Sequence, residues 1–446
     1  MNKILLLLLP IFLLAQSSIV SNIPLPKTYI QDLDPYECDE ACLQEYIDNE
    51  MIFSFLAHAD KKLENPEQDE VRVLNISILN LGSNILSGKV RIAMLLPYKR
   101  IGKYASSTTN AAFAYLITKS NSFELKSYKI ETENEDDIRI ALAKIEEDGF
   151  TNVIAPLTHQ GAQNIVNLNP NITIYFPTIH KHDINTSSPY LVFGAIDYKA
   201  QSELLMKEAI SPLVIFSDKS ETGKKLAHFE EEAFMYTTLE QNTNEEDVSF
   251  NFFGLTKEKK KPKSEPIKVL VKENKVIKYF ISRRTTNLEH YLKENEKIVE
   301  GSFVVNTPIV KSGMIMSQLT LYDVNATNVL STQINYDPLL LSMTQYIDRK
   351  EMVVANSITE QNNVLIETNA LLGNDIVYDW INYATTIGVD YFYSLMTNED
   401  REYNIPIEDN QVMHKVELLQ PSLSKFMPYT HIERVPKEDD LEETQE

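Results

Sequence analysis

Two hydrophobic rhythms alternate along most of this chain. Short, almost unbroken apolar runs predict strands buried on both faces. Between them lie segments whose apolar positions recur at helical spacing, as amphipathic helices require. The pattern is clearest from Lys89 onward. Val90–Leu96 is a strand closed by Pro97, and an Ala-rich helix is expected at about Ser106–Thr118. Strands follow at Leu125–Ile130, Val153–Ala155, Ile172–Phe176 and Leu191–Phe193. Glu135–Asp148 and Lys199–Ala209 read as helices, and Gly161–Asn167 as a helical turn. The rhythm then repeats, with strand Leu213–Phe216 and helix Gly223–Phe234. Further strands are expected at Ile277–Ile281, Phe303–Asn306, Asn328–Ser331 and Met352–Ala355. Helices fall at Leu288–Glu296, Val310–Leu321 and Leu339–Tyr346, and a long one after Asn374 carries Val377, Trp380, Ile381, Ala384 and Ile387. Strands alternating with helices predict parallel sheets with crossover helices, an α/β fold.

Three segments depart from this rhythm. Met1-Asn2-Lys3, the apolar run Ile4–Leu14 and the small-residue exit Ala15-Gln16-Ser17 have the layout of a secretory signal peptide over residues 1–17. The run is too short to span a bilayer comfortably, and no other stretch is long and apolar enough, so no transmembrane segment is expected after signal removal. No Cys follows it closely, so lipid attachment is not expected. Residues 18–87 form an N-terminal extension. Within it Pro35–Leu63 reads as helical, with Leu43, Ile47, Ile52, Phe55 and Leu56 on one face. Asn65-Pro66-Glu67 is expected to break the helix, and Val71–Leu79 is β-rich. Residues 240–275 hold Glu245-Glu246-Asp247 and the Lys-rich stretch Lys257–Lys263, and read as an exposed excursion. Residues 436–446 read as an acidic tail.

Composition narrows the function. Across 446 residues, 42 Lys and Arg stand against 64 Asp and Glu, a net charge of −22. A chain this acidic is not expected to bind nucleic acid, whose backbone is met by Lys and Arg. With only 12 Gly, Gly-rich phosphate loops are not expected. The chain lacks G-x-S-x-G, H-E-x-x-H and P-loop sequences, so no enzyme activity and no cofactor is expected. The two cysteines, Cys38 and Cys42, are spaced to share one face of a helix, and export favours a structural disulfide between them. His180-Lys181-His182 with Asp183 is the nearest approach to a metal set, and no metal is assigned to it.

Four stretches carry a resemblance to a known family. They are Arg91-Ile92-Ala93-Met94-Leu95-Leu96-Pro97 with Gly102-Lys103-Tyr104-Ala105, then Val153-Ile154-Ala155-Pro156-Leu157-Thr158, Ile174-Tyr175-Phe176-Pro177-Thr178, and Phe193-Gly194-Ala195-Ile196-Asp197-Tyr198. In order and spacing they resemble the type I periplasmic binding proteins, which include the branched-chain amino-acid binders. They also resemble the related domain of the penicillin-binding-protein activators. The resemblance covers roughly residues 88–435. Ala155 stands where the family usually has Gly, and the lipid-attachment Cys of the activators is missing. It implies two Rossmann-like lobes with parallel sheets joined by a hinge, plus the small N-terminal helical segment. Lobe 1 is expected over 88–210 and about 357–410, and lobe 2 over 211–356 and about 411–435.

In open α/β sheets ligands lie beyond the C-terminal ends of strands, at helix N-termini. That places candidate contacts at Tyr98, Lys99, Ser106, Ser107 and Thr108 after the first strand, at Thr158, His159 and Gln160 after the third, and at Thr178 after the fourth. The second lobe offers Asp218, Ser220, Asn306, Thr307, Thr332 and Gln333. Each is equally suited to be a helix cap or turn residue. In the amino-acid binders that the chain resembles, hydroxyls and N–H groups of the third-strand loop take the ligand carboxylate, and Thr158 and Gln160 fall in that loop. Asp183-Ile184-Asn185-Thr186-Ser187 and Asp323-Val324-Asn325-Ala326-Thr327 fit an acidic-extended glycosylation pattern, with Asn185 and Asn325 as acceptors. The expectation is a periplasmic, non-catalytic protein of Gram-negative type. It acts as an envelope scaffold or regulator by contact with an envelope protein. The alternative is capture of a small amino-acid-like ligand.

Overall fold

The computed structural model describes residues 38–59, 62–79, 90–239, 267–270 and 274–430. The expected signal peptide, most of the charged excursion and the acidic tail lie outside these residues. Contact density divides the chain into two compact units, Met1–Tyr175 with Thr386–Tyr403, and Phe176–Thr385 with Asn404–Glu446.

The segment before the first sheet strand is helical: α1 (Glu40–Asp48), α2 (Ile52–His58) and α3 (Pro66–Ile78). Asp39 caps α1 by accepting from the Cys42 N–H at 2.9 Å. The Cys38–Cys42 disulfide is formed, with Cα atoms 5.3 Å apart. It ties the residue before the cap to the first turn, rather than joining two positions on one helical face. Leu43, Phe55, Leu56 and Ala59 make a small core, against which Val71, Ile76 and Leu79 pack. The β-rich reading of Val71–Leu79 is corrected here, because that stretch belongs to α3. Asn65-Pro66 opens the helix instead of breaking the chain. The Asn65 side chain accepts from the Glu67 N–H at 3.0 Å, and proline suits a first helical position. Capping and an apolar surface to lie on outweigh the modest strand preference of Val and Ile.

The first sheet is built on β1 (Val90–Leu96), β2 (Phe123–Lys129), β3 (Asn152–Ile154), β4 (Thr173–Phe176) and β5 (Leu191–Phe193). A short pair, β13 (Ile407–Glu408) and β14 (Gln411–Val412), completes the order β13-β14-β5-β4-β3-β1-β2. β1 is parallel to β2 and β3, and β3 to β4. Ile92 to Leu96 are wholly buried, as the unbroken apolar run requires. After β1 a single turn, α4 (Tyr98–Ile101), meets α5 (Lys103–Ile117) at Gly102, whose positive φ of 54° favours glycine. α6 (Glu135–Glu147) and α7 (His159–Leu168) follow β2 and β3.

The second sheet runs β16-β15-β12-β11-β10-β6-β9. Its parallel body is β6 (Leu213–Ser217), β9 (Val276–Phe280), β10 (Ser302–Asn306), β11 (Asn328–Ser331) and β12 (Met352–Asn356). The antiparallel strands β15 (Glu417–Pro421) and β16 (Phe426–Pro428) close one edge. One face packs Leu213, Ile215, Val304, Leu330 and Val353 with Leu205 and Ala227. The other packs Val214, Phe216, Phe303, Val305 and Val354 with Ile315 and Met316. The helices are α8 (Tyr198–Met206), α9 (Glu221–Met235), α10 (Glu289–Leu292), α11 (Ile309–Leu321), α12 (Pro338–Met343), α13 (Tyr346–Arg349), α14 (Asn363–Leu371) and α15 (Trp380–Thr397). The long helix expected after Asn374 starts later than the pattern suggested. Asp375 and Asp379 each accept from backbone N–H groups just after them, which holds Val377 in a turn. β7 (Tyr236–Leu239) pairs antiparallel with β8 (Ile267–Leu270), a strand inside the 240–275 stretch.

Candidate functional site

The N-terminus of α7 lies just beyond β3, where a parallel sheet offers an anion its best seat. Thr158 caps the helix, and its backbone N–H donates to Glu133 Oε1 at 2.9 Å. The Thr158 hydroxyl donates to Glu133 Oε2. Asn164, one turn into the helix, donates to the Glu133 carbonyl at 2.5 Å. Glu133 comes from the β2–α6 connection and is only 2% exposed. A Cβ on Gly161 would stand 2.9 Å from Glu133 Cδ, so the glycine leaves the room that the glutamate fills. A carboxylate of the chain itself therefore occupies this helix N-terminus, held by an N–H, a hydroxyl and the favourable end of the helix dipole. Nothing in the sequence marked Glu133, which lies 25 residues before its partner Thr158. The next residue, Asn134, caps α6 by accepting from the Asp137 N–H at 2.7 Å.

The other candidates of the first unit are spread over different surroundings. Tyr98 is exposed, and Lys99 pairs with Glu131. Ser106 is exposed and donates to the Lys103 carbonyl at 2.9 Å. The Ser107 hydroxyl is buried without a partner among the described residues. Thr108 is wholly buried and donates to the Tyr104 carbonyl at 2.6 Å, so it belongs to the packed side of α5 rather than to an open surface. His159 and Gln160 are exposed, and Gln160 reaches Asn164 at 3.3 Å.

In the second unit Thr178 is half-buried after β4. Asp218 and Ser220 form the cap of α9: Ser220 accepts from the Gly223 N–H at 3.0 Å, and its own N–H donates to Asp218 at 3.0 Å. Thr307 shares a hydrogen bond with Ser312 at 2.8 Å in the turn that opens α11. Gln333 is buried in an amide network: its N–H donates to Gln201 Oε1 at 2.9 Å and its side chain to Asn356 at 2.9 Å. The Gln201 amide also donates to Ser357 at 2.7 Å. Ser217 and Asn306 are register partners at the C-terminal ends of β6 and β10, and Thr332 follows β11. All three are wholly buried, as is Glu230 of α9, which accepts from the Asn306 amide at 2.5 Å. Burial without a countercharge pushes the Glu230 carboxyl up to about 8. The acceptor candidates Asn185 and Asn325 are both exposed.

A second cluster follows β4 and β5. His180 Nε2 lies 3.6 Å from Asp197 Oδ2, and the rings of His180 and His182 are 3.9 Å apart. Burial holds His180 down to about 4, against the pull of Asp197. Asp197 caps α8, accepting from the N–H groups of Lys199 at 2.9 Å and Ala200 at 3.0 Å. Asp183 lies 2.5 Å from the Lys225 ammonium and 3.4 Å from His182 Nε2. Sequence proximity pointed to Asp183 as the carboxylate beside the two histidines. The structure keeps Asp183 beside His182 and also brings Asp197 to His180 across 17 residues, because β5 and its following turn lie alongside β4.

Solved structures share this architecture. A periplasmic ligand-binding protein of a branched-chain amino acid ABC transporter from Burkholderia xenovorans superposes with a TM-score of 0.52 at 10% identity, over 77% of this chain and 95% of that one. A branched-chain amino acid ABC transporter protein from Thermus thermophilus with bound valine gives 0.51 at 11%, over 77% and 96%. Full-length LpoA from Haemophilus influenzae gives 0.50 at 11%, over 87% and 73%. This chain has the type I periplasmic binding-protein fold. No protein-family model and no curated protein sequence matches it. In this fold, as in open α/β sheets generally, the ligand side is the C-terminal rim of the strands. Glu133, the Ser217–Asn306–Thr332 row and the His180–Asp197 pair all stand at such rims. Among the described residues no helix is long and apolar enough to cross a membrane.

Proposed function

We propose that this protein is a non-catalytic envelope scaffold or regulator that works by protein contact, not by capturing an amino acid. The observation that carries this reading is Glu133. The resemblance to amino-acid binders assigns the third-strand loop to the carboxylate of a ligand. Here the loop's Thr158 N–H and hydroxyl are already spent on a buried side chain of the same polypeptide. A free amino acid would have to displace a covalently tethered carboxylate whose effective concentration is high.

A surface suited to protein contact supports the same reading. Leu339, Met343, Tyr346, Ile347, Leu423 and Met427 are each at least 40% exposed. They lie on α12, α13 and the β15–β16 hairpin. The Arg349 guanidinium draws these elements together by donating to the Ser422 and Leu423 carbonyls at 3.1 Å. Apolar residues gathered in this way mark interaction sites more often than chance exposure does. The exported, periplasmic location and the possibility of glycans at Asn185 and Asn325 belong to this proposal. A photo-crosslinking residue placed at Ile347 or Leu423 in cells tests it. A discrete adduct with one envelope protein, absent when the probe is moved to exposed Arg139, is the expected result. No adduct from either position would overturn the contact reading.

A further inference from the structure

We propose that His180, His182 and Asp197 form a binding site for a divalent transition-metal ion of the zinc type. One ligand atom from each of the three lies within 4.8 Å of the others, so a small movement brings all three onto one ion. The donor set is two imidazoles and one carboxylate. Imidazole suits zinc and its neighbours in the first transition row, whereas calcium and magnesium prefer oxygen throughout. Three protein ligands leave a position open for water or for a bound group, as in zinc sites that act on or hold a ligand.

The surroundings favour metal over a simple ion pair. Asp197 is fixed by the two N–H groups that its Oδ1 accepts, and the carboxylate presents Oδ2 toward His180. A ligand oriented by hydrogen bonds of its own loses little freedom on binding. Two cations stand close by, and each already has an anion. Lys225 is paired with Asp183, and Lys181 with Asp409 at 2.5 Å. The side chains of His182 and Asp197 are 36% and 31% exposed, which gives an ion a way in. Without metal, the His182 N–H donates to His180 Nδ1 at 3.3 Å, a long contact.

The test is calorimetric titration of ZnCl2 into the full chain after chelator treatment, with cobalt(II) absorption as a second readout. One ion per chain is expected, with a cobalt spectrum of low-coordinate N/O type. His182→Ala and Asp197→Asn should each weaken binding at least tenfold. Asp197→Asn keeps a side-chain oxygen for the α8 cap, so loss of binding there is not loss of fold. Asp136→Asn, on an exposed carboxylate paired with Arg139, should change affinity by less than twofold. Absence of binding by the wild type overturns the proposal. So does binding that neither His182→Ala nor Asp197→Asn weakens, or a stronger effect from Asp136→Asn than from Asp197→Asn.

Discussion

At the scale of single residues, a titratable carboxyl buried without a partner charge ties stability to pH. Glu230 is wholly buried, and its one described partner is the Asn306 amide. Its carboxyl titrates near 8, well above its ordinary 4.5, because burial penalises the charged form. The native state therefore keeps a proton that the unfolded chain has already lost between about pH 4.5 and 8. Over that window Glu230 makes stability fall as pH rises, by up to about 1.4 kcal/mol per pH unit, and its contribution is flat above it. A Glu230→Gln variant should lose this slope. Urea midpoints at pH 5 and 8.5 are expected to show the variant gaining on the wild type at the higher pH. Equal pH dependence in the two proteins would contradict the assignment.

At the scale of elements, helix N-termini carry the account, and they show what sequence could and could not reveal. The caps at Asp39, Asn134, Ser220 and Asp337 lie where a polar residue precedes an apolar repeat. The same rule hid the site, because a capping threonine and a ligand-binding threonine look alike. What separates them at Thr158 is Glu133, brought over by the β2–α6 turn, and no local pattern encodes that meeting. α7 also supplies a direct test. Glu133→Ala should cost about 1–3 kcal/mol by leaving the Thr158 N–H without its acceptor. Millimolar acetate should restore part of the melting temperature by entering the vacated helix end. Strands followed burial: β1, with its unbroken apolar run, was legible, whereas β15 buries only Leu419 and Pro421, β16 buries none of its residues, and the two strands end in Pro421 and Pro428. Helix α14 was missed for a related reason. Of its nine residues only Leu365 and Asn369 are buried, too few to print an apolar face.

At the scale of the whole molecule, the alternation of strands and helices indicated an α/β fold, the family resemblance implied two sheets, and both are present. Function was less legible, because one fold serves both solute capture and protein contact. The difference rests on whether the third-strand rim is open to a ligand. The expected contact residues have varied surroundings: Ser220 is a cap, Thr108 is buried on α5, and Asn306, Thr307, Thr332 and Gln333 are buried. The His180–Asp197 cluster arose instead from residues too far apart in sequence to be paired by spacing. The most direct measurement is a thermal-shift screen of the full chain against the twenty amino acids, short peptides and muropeptides. The account predicts no shift for the wild type with any free amino acid at 100 times a typical micromolar Kd. A rise of several degrees with one amino acid, as linkage requires of a ligand bound to the native state alone, would contradict it.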